Sequence, residues 1–114
     1  RLQRYNFLLR NCYFYPIILG WETLVINYNQ YIITTKFVVN EGSLITRVIH
    51  DDDGDWQFLG TEQELCDSDA IVLSLSEILA HDPTLDTIIN LPIGKQAFRL
   101  ALNAPWEICD YDEG

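Results

Sequence analysis

The chain has 114 residues, 48% hydrophobic and 21% charged, with a formal net charge of −10. That length buries a core without metals or staples, and that composition excludes a disordered chain. The acidity disfavours direct nucleic-acid binding, because a negative body repels a phosphate backbone.

In chain order, RLQRYNFLLR (1–10) places Leu2, Tyr5, Leu8 and Leu9 at helical spacing and predicts a short helix. The longest apolar run, CYFYPIILGW (12–21), is too short for a bilayer and holds a proline, so no membrane span is expected. Without the signal-peptide order of basic, apolar and small residues, a cytoplasmic location is expected. TLVINY (23–28) and YIITTKFVV (31–39) are β-branched and aromatic, and predict strands. Asn40-Glu41-Gly42-Ser43 has turn chemistry, and LITRVIH (44–50) predicts a further strand.

Asp53-Gly54 is a favoured two-residue hairpin turn, with DWQFL (55–59) as the return strand. Alternation puts Trp56 and Phe58 on one face and Asp55 and Gln57 on the other. Because a small sheet packs aromatics inward, Trp56 and Phe58 are core candidates. Exposed aromatics are sought among Tyr13, Tyr15, Tyr28 and Tyr31. Residues 60–69 form an acid-rich loop before the apolar strand AIVLSL (70–75).

Ser74 or Ser76 is placed to cap the helix SEILAH, with Glu77 in its first turn. Asp82-Pro83 stops that helix, and Thr84 starts a second one, TLDTIINL. KQAFRLAL (95–102) fits helix and strand equally. APWEICDY (104–111) predicts a final edge strand. Strands first, short helices next and a late strand argue an α+β domain, with a largely antiparallel sheet and helices packed on one face. Residues 1–114 form a single domain, and 31–111 form its α+β core.

The charge is unevenly spread. Arg1, Arg4 and Arg10 precede the first acid, Glu22. From residue 11 onward there are 17 acids against four bases (Lys36, Arg47, Lys95 and Arg99), a balance of −13. Solubility explains part of this, and complementarity to a basic protein explains it equally well. The carboxylates suited to such an interface are Asp51, Asp52, Asp53, Asp55, Glu62, Glu64, Asp67 and Asp69. A homodimer is left open.

The same acids invite a metal test. Asp51, Asp53, Asp55 and Glu62 fall at positions 1, 3, 5 and 12 of an EF-hand loop, which also needs glycine at position 6 and flanking helices. Trp56 stands at position 6 and the flanks are strand-like, so no EF-hand and no cofactor are expected. A weak divalent-cation site or a hydrolytic site using His50 and the Asp51–Asp55 cluster is the alternative reading. A DNA-mimic inhibitor is a second alternative. Catalysis has little support: the serines lack nucleophile-elbow glycines, and no phosphate-binding glycine loop is present. Cys12, Cys66 and Cys109 are odd in number and widely spaced, without a metal-ligand pattern. They are expected to be buried reduced thiols.

The block Val48-Ile49-His50-Asp51, with Asp53-Gly54-Asp55-Trp56-Gln57-Phe58-Leu59, resembles the signature of a family of small uncharacterised bacterial proteins. Asp82-Pro83-Thr84-Leu85, Leu91-Pro92-x-Gly94, Ala97-x-Arg99 and Trp106 follow the same pattern in the same order. The likeness spans roughly residues 34–107 and leaves out 1–30. More distantly, the chain is similar to a domain of unknown function found in bacterial toxin-immunity proteins. The resemblance implies a binding protein of immunity type that neutralises a toxin, and it carries over no catalytic residue. Together with the charge balance it points to a non-enzymatic module that covers a basic toxin surface.

Overall fold

Strand β3 (Arg47–His50) and strand β4 (Trp56–Leu59) form the antiparallel hairpin at the middle of the sheet, with His50 opposite Trp56 and Arg47 opposite Leu59. The computed structural model describes residues 26–111 and the backbone of Tyr13–Phe14. The remaining strands are β1 (Tyr13–Phe14), β2 (Tyr31–Thr35), β5 (Ala70–Ser74), β6 (Lys95–Phe98) and β7 (Glu107–Asp110). They assemble in the order β1-β7-β6-β3-β4-β2-β5. Every described pairing is antiparallel except β2–β4, so the fold is α+β as the element order implies.

Local chemistry sets the helices. Thr35 ends β2 and caps helix α1 (Lys36–Glu41), its hydroxyl accepting from Val38 N–H at 3.3 Å. Gly42 closes that helix with φ 74°, a left-handed conformation that costs glycine little. The expected strand over 31–39 therefore stops at Thr35. The β-branched pair Val38-Val39 loses to a cap at each end. Helix α2 (Leu75–His81) has a reciprocal capping box: Ser74 Oγ accepts from Glu77 N–H, and Glu77 accepts from Ser74 N–H at 2.8 Å. Asp82 then caps a 3-10 turn, Pro83–Thr87, where the sequence predicts an α-helix over 84–91.

Because directly paired residues share a sheet face, the register sorts the core. Ile32, Val48, Trp56, Phe58, Ala97 and Ile108 lie on the face that packs Val38, Leu75, Ile78, Leu85, Ile88 and Leu91 from the helices and turns. Trp56 and Phe58 are 4% and 0% exposed, so they are core residues. Phe→Ala or Trp→Ala at such a site costs about 3–5 kcal/mol. On the opposite face Ile49 and Leu59 pack with Tyr111 and Leu65. Arg47, Gln57 and Gln96 are also buried there. The centre of the sheet is therefore covered on both sides, not on the helical side alone.

Three further expectations change. KQAFRLAL resolves into β6, pinned by pairing with both β3 and β7. β7 is not an edge, because β1 pairs along its outer side. Residues 26–30 form a turn in place of a strand, with Asn29 N–H donating to Asn27 Oδ1 at 3.0 Å. The predicted helix over 1–10 and the strand residues 23–25 lie outside the described residues.

Candidate functional site

The β3–β4 turn is built around one carboxylate. Asp51 N–H donates to Asp55 O at 2.9 Å, and Gly54 N–H donates to Asp51 O at 3.0 Å. The loop is therefore the three residues Asp52-Asp53-Gly54, with Gly54 at φ 86°, and not the expected two-residue turn. Asp51 Oδ1 accepts from Asp53 N–H at 3.0 Å and from Asp55 N–H at 2.9 Å. This Asx arrangement satisfies backbone donors that the tight loop would otherwise strand. Asp51 is buried as a result and belongs to the turn's architecture, while Asp52, Asp53 and Asp55 are exposed.

The eight acidic candidates do not form one patch. The turn sits at one end of β4, and Glu62, Glu64, Asp67 and Asp69 follow its other end. At about 3.3 Å per residue, the four-residue strand alone separates the groups by roughly 13 Å. In the second group Glu64 and Asp67 are exposed. Glu62 is half-buried and accepts from Ser43 Oγ at 2.9 Å. Asp69 is buried, accepts from Cys66 N–H at 2.9 Å and pairs with Lys36 at 3.2 Å. The Cys66 N–H, aided by Lys36, holds the Asp69 carboxyl below its ordinary value. Two of the eight, Asp51 and Asp69, are thus committed inside the fold.

Nor do His50 and the aspartates form a unit. His50 alternates to the helical face, where its ring stacks on Trp56 with centroids 3.9 Å apart. Its Nδ1 lies 2.7 Å from Leu91 O, a contact in which only the ring nitrogen donates. The carboxylates of Asp51, Asp53 and Asp55 offer oxygens within 4.8 Å of one another. With Ile33 and Gln57 they line an open cleft on the sheet face opposite the helices. Ile33 carries no motif and its signal is the alternation within YIITT, whereas Gln57 stands in the Trp-Gln-Phe block, where alternation already sets it on the face of Asp55.

The described lysines and arginines are engaged in structure. Arg99 is 4% exposed and donates through Nε to Ile45 O at 2.9 Å and through Nη2 to Asp82 Oδ2 at 2.7 Å. Its Nη1 donates to Thr84 Oγ1 at 2.8 Å and to Leu102 O at 3.0 Å, and its guanidinium lies 4.5 Å from the Trp106 ring centroid. The Asp-Pro-Thr, Ala-x-Arg and Trp106 elements of the sequence pattern therefore meet in one buried network. Lys95 pairs with Asp110, and Arg47, buried, donates to Gln96 Oε1 at 3.0 Å. No ion pair among the described residues reaches Asp52, Asp53 or Asp55.

The cysteines differ from expectation. Cys66 is exposed with a free thiol, whereas Cys109, fully buried in β7, is disulfide-bonded. Wide sequence spacing conceals such a bond, because a sheet brings distant strands together. Among the described residues, no helix is long and apolar enough to cross a membrane. Compared with protein-family models, with curated proteins and with solved structures, the chain matches none.

Proposed function

We propose that this chain is a non-enzymatic, protein-binding module of immunity type, whose acidic hairpin tip meets a basic surface on a partner such as a toxin. One observation carries the reading. Asp52, Asp53 and Asp55 stand exposed on a rigid turn, while the described cations are engaged elsewhere. A compact, uncompensated charge on a preorganised loop is suited to steering and orienting a cationic partner. The commitment of His50 to Leu91 O and Trp56 supports a binding role over acid–base catalysis. The test is co-purification from the host organism, followed by charge reversal. A basic protein should be recovered with the native chain and lost with Asp52→Lys, Asp53→Lys and Asp55→Lys together. Retention by that variant counts against the reading.

A second reading has one specific support, the convergence of the Asp51, Asp53 and Asp55 carboxylates. It makes the tip a weak Ca²⁺ or Mg²⁺ site. Calorimetry separates the two: micromolar heats that vanish in Asp53→Ala favour the cation. The Cys109 disulfide favours an oxidising compartment over the cytoplasmic expectation. Thiol titration checks it: the count of reactive thiols in unfolded protein should rise when reductant is added.

A further inference from the structure

We propose that the sheet face formed by Tyr31, Ile33 and Val72, beside the acidic turn, is where the partner docks, and that the partner presents an aliphatic or aromatic side chain flanked by Lys or Arg. The proposal rests on the protein-binding reading above and names the apolar half of its surface.

Register places these residues together. Ile33 pairs with Gln57 of β4 on one side and with Val72 of β5 on the other. All three therefore share the face opposite the helices. Tyr31, two residues before Ile33, falls on that face as well. The parallel β2–β4 register sets Tyr31 level with Asp55. The cleft lined by Ile33, Gln57, Asp51, Asp53 and Asp55 joins the apolar residues to the carboxylates.

Exposure distinguishes this end of the face from its centre. Ile49 and Leu59 on the same face are 0% and 2% exposed, whereas Tyr31 is 79% and Val72 60% exposed. β5 ends the strand order, so no described strand lies beyond Val72. An apolar patch with a tyrosine and a polar rim has the composition of an interface centre. On the side of the turn the rim is acidic, and no described ion pair neutralises Asp53 or Asp55. The occupant must therefore be cationic around an apolar anchor. A second copy of the chain fits poorly, since its matching face offers the same apolar residues beside the same acidic turn and not the cations the rim calls for.

The probe is a capped heptapeptide alternating lysine with leucine or phenylalanine, compared with hepta-lysine, both titrated into the full chain with methyl-labelled isoleucine, leucine and valine. The expected result is shifts at Ile33 and Val72 with the alternating peptide. Tyr31→Ser with Val72→Thr should weaken that peptide about tenfold, a typical cost for losing an interface anchor, and leave hepta-lysine unchanged. Asp53→Asn with Asp55→Asn should weaken both. Both double variants change exposed side chains, so the fold is retained. If Tyr31→Ser with Val72→Thr binds the alternating peptide as tightly as the native chain, the docking face is wrong, while a response to Asp53→Asn with Asp55→Asn leaves the charge-based reading standing. No response to either variant sinks both. A dimer in sedimentation that Tyr31→Ser with Val72→Thr dissolves would assign the face to self-association and overturn the proposal.

Discussion

Two charged regions of this domain have opposite fates. Around Arg99, an arginine and an aspartate are buried, and the guanidinium is held by Ile45 O, Asp82, Thr84 and Leu102 O over the Trp106 ring. At the β3–β4 turn, one aspartate is buried to tie the loop while Asp52, Asp53 and Asp55 face solvent. Burial is tolerable for a charge only when its partners are complete. The first region therefore holds elements together, joining the loop before β3 to the turns before β6 and β7. The second has charge to offer because nothing inside the described fold uses it.

The largest expected effect is at the network. Arg99→Ala leaves Asp82 buried without its partner and should cost about 3–5 kcal/mol in urea unfolding. A cost below 1 kcal/mol would erase the contrast. Next comes Asp51→Ala, which strands the Asp53 and Asp55 N–H groups and should cost roughly 1–3 kcal/mol. Gly54→Ala forces a Cβ into φ 86° with no clash nearer than Ile93 at 4.0 Å, so strain alone should cost about 1–2 kcal/mol. Asp52→Asn, Asp53→Asn and Asp55→Asn together should move stability by less than about 0.5 kcal/mol, as exposed substitutions do.

The smallest effect is in pH dependence. The Cys66 N–H lowers the Asp69 carboxyl from its ordinary 3.8, and the Ser74 N–H and hydroxyl lower Glu77 from its ordinary 4.5. Both groups are depressed in the folded state, so their contribution is present above those values and is lost as pH falls through the lower folded ones. A urea-midpoint series from neutral pH into acid should show a decline below about pH 4.5 that Asp69→Asn with Glu77→Gln flattens. An unchanged slope would remove this contribution.

What was legible in the sequence was local. A serine cap before α2 with Glu77 in its first turn, the Asp82-Pro83 stop, the β3–β4 hairpin and the inward Trp56 and Phe58 all follow from neighbours a few residues apart, though the choice of Ser74 over Ser76 does not. Helix α1 had a legible signal in Thr35 and Gly42, but its β-branched interior outweighed it. The Arg99 network was not legible, because Ile45 lies 54 residues away and only the fold brings it near. Asp51 and Asp69 read as surface charge since composition cannot reveal which carboxylate a tight turn will fold around. Tyr31 was among the aromatics expected to be exposed, but Val72 beside it was not legible, because its exposure depends on no described strand lying beyond β5, which no periodicity states.

The most direct measurement follows binding and stability in one variant. Asp52→Asn, Asp53→Asn and Asp55→Asn together, titrated with the alternating basic peptide at low and at physiological salt, should bind more weakly than the native chain and lose most of its salt dependence, with the urea midpoint unchanged. Native affinity and native salt dependence in that variant would contradict the assignment of the turn as a binding surface.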